Sequence, residues 1–211
     1  MKTVYVVRHG ESIGNQGPIR DEAASPLTDT GRKQAAILAD RCARFPLEII
    51  ISSPLNRAQE TAEIIADTIK KPLEISQLFE EWRRPKEQLG ELKNDPLAVE
   101  SERIIRANFS RETFRFSDEE NFADLKNRAL LALGFLEKRP EKNILVVTHE
   151  FFLRILAAST IFGEQLTGYE CERCIRTLHI TNAGMSVFGF DPERNNSPWW
   201  IWVWNDHSHL D

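Results

Sequence analysis

The chain has 211 residues, enough for one good hydrophobic core without requiring a second domain. Hydrophobic residues make up 41% and charged residues 28%, a balance that excludes a disordered or membrane-embedded polypeptide. With 32 acidic against 27 basic side chains the net charge is -5, and no nucleic-acid-binding surface is expected, because phosphate-backbone affinity comes from clustered lysine and arginine.

The first apolar run, Val4-Tyr5-Val6-Val7, is β-branched, short and followed by a glycine-containing polar turn, so it reads as a buried strand that delivers Arg8-His9-Gly10-Glu11 to a loop. A guanidinium is a permanent planar donor for phosphate oxygens, and a neighbouring imidazole can act as nucleophile or acid/base group near neutral pH. The triplet carries little by itself and needs partners from elsewhere. Glu11 to Pro18 is a loop punctuated by glycine and proline. Thr28 then precedes a helix with Ala35, Leu38, Ala39 and Cys42 on one face.

Leu47 to Ile51 is a second strand. Ser53 is its natural helix cap and Pro54 the first helical residue, which puts Arg57 in the first turn of a helix whose buried stripe is Ala58, Ala62, Ile65 and Ile69. Leu73-Glu74-Ile75 reads as an edge strand. From Glu80 to about Phe116 the chain turns charged and poorly periodic, apart from a helix between Pro96 and Phe109, and reads as a lid excursion covering the site. Its cations, Arg83, Arg84, Lys86, Arg103, Arg106, Arg111 and Arg115, are expected mostly as a solvated face.

Ser117 to Glu120 fits a capping box ahead of a helix carrying Phe122, Leu125, Ala129, Leu133 and Leu136. Ile144 to Val147 is a fourth strand ending in Thr148-His149-Glu150, followed by an apolar helix to about Gly163. Cys171 and Cys174 form a lone C-x-x-C without a second ligand pair, expected in a loop or short helix and not as a metal site. Segments around residues 178–180, 185–190 and 199–204 suggest two or three edge strands, with the tryptophan-rich last one packed into the core. No signal peptide and no bilayer-spanning stretch is read, so a cytoplasmic location is expected, with no membrane or nucleic-acid partner.

Strands separated by helical crossovers lie parallel, and their C-terminal ends share one edge of the sheet, where open α/β sheets bind ligands. Arg8, His9, Arg57 and His149 therefore converge on one phosphate-sized place, beside the N-terminus of the helix bearing Arg57.

In its ordered series of motifs the chain resembles the histidine phosphatase superfamily of phosphohistidine-forming phosphatases and phosphoglycerate mutases. The resemblance rests on Arg8-His9-Gly10-Glu11-Ser12 with Asn15, on Pro26-Leu27-Thr28 with Gly31 and Gln34-Ala35, and on Ser52 through Ala62. It continues through Leu78-Phe79-Glu80, Thr148-His149 and Trp204-Asn205-Asp206 with His209-Leu210. It implies a single domain over 1–211, a three-layer α/β/α sandwich around a mostly parallel sheet with an edge strand of opposite direction, and a lid at about 80–116. It also implies that His9 is the nucleophile, that Arg8, Arg57 and His149 bind the phosphoryl group, that Asn15 helps line its pocket, and that the acid lies at Glu80, with Glu81 as the alternative.

The activity implied is hydrolysis of a small phosphorylated metabolite, as a phosphoric monoester hydrolase using neither cofactor nor metal. A bisphosphate-primed phosphoglycerate mutase and a phospho-ligand-binding module with little turnover are the alternatives. Glu11 is expected to orient backbone groups and Glu60 to be solvated or packed on its helix. His179 and His207 read as surface or hydrogen-bonded, and His209 as structural. The chain departs from the family pattern at Glu150, where phosphatases commonly have glycine, and at Glu80 to Pro85, where mutases often have a tryptophan-glutamate-glycine stretch.

Overall fold

The computed structural model describes residues 1–20, 24–194 and 197–210. Four strands, β1 (Lys2–Arg8), β2 (Ile49–Ser52), β3 (Leu73–Ile75) and β4 (Asn143–Thr148), run parallel. They share a six-stranded sheet, of order β3-β2-β4-β1-β5-β6, with β5 (Met185–Phe190) and β6 (Trp199–Asp206). β5 is antiparallel to β1, and β6 in turn is antiparallel to β5, so the antiparallel edge expected from the tail is built by these two strands.

Alternation along β1 explains the layers. Val4 and Val6 face one core with Phe152, Leu156 and the stripe Leu125, Ala129, Leu133 and Leu136. These side chains come from α5 (Phe122–Lys138) and α6 (Glu150–Phe162). Tyr5 and Val7 face the other core with Leu38, Ala39, Cys42, Ala58, Ala62 and Ile65, from α2 (Asp29–Cys42) and α3 (Asn56–Ile69). A parallel strand buried on both faces has no polar side to show, hence the unbroken apolar run. The remaining helices are α1 (Ile13–Gln16), α4 (Pro96–Asn108) and α7 (Gly168–Thr177). Among the described residues no helix is long and apolar enough to cross a membrane.

Several local expectations are corrected. Ser53 is not a helix cap: α3 starts at Asn56 with Leu55 before it and no side-chain cap, although Arg57 stays in the first turn. The Ser53 hydroxyl is instead 2.7 Å from His149. The capping box of α5 is Asn121 with Asp124, not Ser117 with Glu120. The carboxylate of buried Glu119 accepts from the Phe116 and Ser117 amides, and Glu120 pairs with Arg128, so neither acid is available to cap the helix. Residues 178–180 form no strand, which leaves β5 and β6 of the two or three expected from the tail, and the C-x-x-C lies on a short helix as expected, α7, whose cap is Thr167 with Glu170. Burial pushes the Cys171 thiol up to about 12, so it is an inert core group.

The tryptophan run divides. Trp199 is buried and Ile201 and Trp204 pack on the same core, whereas Trp202 is 54% exposed. Val187 pairs Val203 and Phe188 pairs Ile201, so Trp202 is an extra residue that shifts the strand's parity.

Candidate active site

The geometry of His9 fixes its tautomer. Nδ1 is 2.6 Å from the Gly10 carbonyl, which can only accept, so Nδ1 carries the hydrogen. Nε2 accepts from the Arg57 Nε–H at 3.1 Å and therefore holds a lone pair. The His9 amide donates to the Thr148 carbonyl at 3.0 Å, and the Gly10 amide donates to Thr61 Oγ1 at 3.1 Å. Thr61 Oγ1 donates in turn to the Arg57 carbonyl at 2.7 Å, so one hydroxyl ties the His9 loop to α3. Glycine is required where this loop crosses α2. A Cβ on Gly31 would lie 2.0 Å from the Glu11 carbonyl oxygen, and one on Gly10 would lie 2.5 Å from that of Gly31. Both motif glycines thus mark one backbone crossing.

His149, fully buried at the end of β4, brings its ring centroid to 5.0 Å from that of His9. Its Nε2 meets Ser53 Oγ at 2.7 Å, and its Nδ1 is buried without a hydrogen-bond partner. Arg8 donates from Nη1 to the Ile180 carbonyl at 2.9 Å, and its Nη2 lies 3.0 Å from Glu150 Oε2. Asn15 Oδ1 accepts from the Ser12 amide at 3.1 Å and from Asn182 Nδ2 at 3.2 Å.

Burial, followed by the Arg57 guanidinium, holds both imidazoles well below the ordinary histidine value. Both rings are neutral near pH 7. On unfolding each returns to about 6.5, so below that pH the unfolded chain binds protons that the folded one refuses. The stability their neutral forms contribute is complete above 6.5 and is lost as pH falls toward the depressed folded values. In phosphate-free buffer, denaturant unfolding is expected to lose stability as pH falls from 6.5 to 5, with a limiting slope of about 1.4 kcal/mol per pH unit for each neutral ring, and His149→Gln to make the loss shallower. A flat profile would contradict two neutral rings.

Arg8, His9, Asn15 and Arg57 open into a cavity of about 740 Å³ whose lining also includes Glu80, Glu81 and Glu150, while His149 lies buried behind its wall against His9. The two candidate acids differ sharply. Glu81 is a helix cap: Oε1 accepts from the Phe152 amide at 3.0 Å and from the Trp82 amide at 2.9 Å, and Oε2 accepts from Phe151 at 3.2 Å. Its carboxylate closes the first turn of α6, which has no side-chain cap from His149. Burial, reinforced by Glu120 and opposed by Arg128 and Arg83, raises the Glu80 carboxyl above the ordinary range. A raised carboxyl keeps its proton to higher pH, as a proton donor requires.

Of the excursion's cations Arg83, Arg84 and Lys93 line this cavity, joined by Arg20 from the loop after β1; Lys93 and Arg20 were not singled out from sequence. Sequence reasoning also missed Arg128. It bonds the Glu80 carbonyl at 2.8 Å and the Glu120 carboxylate at 2.8 Å, and so holds the acid-bearing segment on α5. Its signal was a cation at position i+3 from Leu125, on the apolar stripe. Asn182, whose Nδ2 donates to the His9 carbonyl at 3.1 Å, gave no signal.

The remaining expected residues are structural. Glu11 Oε1 accepts from Thr28 Oγ1 at 2.7 Å, and Glu60 bonds Arg32 and the Leu27 amide. His209 donates from Nε2 to the Ala183 carbonyl at 3.1 Å while Nδ1 accepts from Arg41 at 2.7 Å. Among the described residues no group of three or more histidine, cysteine, aspartate or glutamate side chains is placed to hold a metal ion.

A family model described as the histidine phosphatase superfamily, branch 1, matches residues 4–206. A protein of Enterobacter sp. (strain 638) named probable phosphoglycerate mutase GpmB is 33% identical, over 100% of this chain and 96% of its own length. Its namesake from Yersinia pestis (strain Pestoides F) is 31% identical with the same coverage. Among solved structures, Bacillus stearothermophilus YhfR superposes with a TM-score of 0.82 at 24% identity, over 100% of both chains. A putative alpha-ribazole-5'-P phosphatase from Escherichia coli K-12 gives 0.80 at 20% identity, over 97% of this chain and 96% of the other.

Proposed function

Because this chain belongs to the histidine phosphatase superfamily, branch 1, we propose that it hydrolyses a small phosphorylated metabolite through a phosphohistidine on His9, with the segment at about 80–116 serving as its lid. The observation that carries the reading is the tautomer of His9, whose Nε2 lone pair is presented at 3.1 Å to a donor that a phosphoryl oxygen can take over. Arg8 and Arg57 hold the phosphoryl oxygens and offset their charge, a role that calls on no metal. The neutral His149 adds a hydrogen bond and Asn15 lines the pocket.

Attack by Nε2 forms the N–P bond as the ester O–P bond breaks. Glu80 gives its proton to the departing alkoxide. It then takes a proton from the incoming water as the N–P bond is cleaved and phosphate leaves. At about 740 Å³ the cavity has room for that water beside a metabolite.

Release of inorganic phosphate from a panel of phosphorylated sugars, sugar acids and amino acids is the expected result. The names of the relatives at 33% and 31% identity favour a second reading, a bisphosphate-primed phosphoglycerate mutase. Conversion of 3- to 2-phosphoglycerate with no phosphate release across the panel would replace the first reading by the second.

A further inference from the structure

Glu150 puts a carboxylate on the rim of a site that must attract negative charge. It is the first residue of α6, its side chain is 33% exposed and it faces the cavity. Oε2 lies 3.0 Å from Arg8 Nη2 and Oε1 lies 2.5 Å from Arg154 Nη2. Arg154 is itself anchored by Nε on the Leu178 carbonyl at 2.7 Å, so the carboxylate is fixed from behind. The charged and titratable groups that share the cavity with it are Arg8 and His9 from β1 and its loop, Arg20, Arg57 from α3, and Arg83, Arg84, Lys93 and Glu102 from the excursion, with Arg154 on its own helix. His149 precedes it, and Glu80 and Glu81 come from the segment after β3.

Arg8 commits one N–H on each of its terminal nitrogens. Nη1 is engaged by the Ile180 carbonyl, Nη2 by Glu150, and Nε is buried without a partner. A phosphoryl oxygen that takes the second N–H of Arg8 Nη2 lies beside Glu150 Oε2 on the same nitrogen, and two anionic oxygens converge. Like charges at that separation repel unless one carries a proton, in which case the contact becomes a charge-assisted O–H to carboxylate hydrogen bond.

We propose that Glu150 makes this site select a phosphoryl group carrying one proton, whose O–H donates to the Glu150 carboxylate while Arg8 and Arg57 hold the other oxygens. The proposal rests on the phosphomonoesterase reading of the same site. The proton stays on its oxygen throughout transfer, so Glu150 is a specificity residue, distinct from the proton donor Glu80.

A phosphate monoester loses its second proton near pH 6. Above that pH, kcat/KM of the unsubstituted protein is expected to fall about tenfold per pH unit, and the break is expected to follow the substrate. The experiment measures kcat/KM from pH 5 to 8.5 with an aliphatic monoester and a more acidic aryl monoester, for the unsubstituted protein, Glu150→Gln and Glu150→Gly. The break should sit lower for the aryl ester, and both variants should exceed the unsubstituted protein about tenfold at pH 8. One common break for both esters would assign it to a protein group such as Glu80 and overturn the proposal. Loss of turnover at every pH in both variants would make Glu150 a proton donor, with the same result. Failure of the phosphomonoesterase reading looks different, as no phosphate release by the unsubstituted protein at any pH.

Discussion

His9→Ala is expected to lower kcat for phosphate release by on the order of 10⁴-fold or more, because it removes the bond-forming atom. Arg8, Arg57 and His149 remain, so inorganic phosphate or vanadate should still bind and raise the melting temperature. After mixing with ³²P-labelled monoester and quenching without acid, label should be found on the unsubstituted protein and not on His9→Ala. Equal label on both, or hydrolysis that survives in the variant, would remove His9 from the nucleophile's role.

Glu80→Gln should cost about 10²- to 10⁴-fold in kcat for an aliphatic monoester, the usual contribution of a positioned acid. In kcat/KM, which reports only the steps up to phosphohistidine formation, the cost should nearly vanish for a nitrophenyl ester, whose leaving group departs without a proton, whereas its kcat keeps the loss of water activation by Glu80. Glu81→Ala has the opposite signature. It strips the Phe151 and Phe152 amides at the start of α6, and the Trp82 amide, of their acceptor and should lower stability by about 1–3 kcal/mol, with no dependence on the leaving group. A leaving-group effect at Glu81 and none at Glu80 would reverse the assignment.

The parts of the site legible in the sequence are those fixed by strand ends. Val4 to Val7 and Ile144 to Val147 are apolar on both faces, so their parallel pairing and shared edge followed from pattern alone, and Arg8 is indeed opposite Thr148. Sequence could not separate Glu80 from Glu81, because both line the cavity and what distinguishes them is the engagement of Glu81 by the Phe151 and Phe152 amides, contacts 70 and 71 residues away. Ser53 was misread because its hydroxyl is engaged by His149, a partner 96 residues away. The parity of the tryptophan strand depended on a bulge at Trp202 that no periodicity announces. Asn182 reaches the His9 carbonyl and Asn15 with its side-chain amide from a turn far along the chain, and no spacing in the sequence signals such a contact.

The position of β1 in the sheet bears on how the molecule forms. The strand that carries Arg8 lies between β4 and β5, with Val4 opposite both Ile144 and Phe188. Both neighbours come from the second half of the chain, so this apolar strand keeps both edges open until β4 is present and one edge open until β5 is. Contacts so distant in sequence close slowly, and an unpaired apolar strand is prone to aggregation while it waits. Phosphate affinity would thus emerge late in refolding and serve as a gauge of its completion.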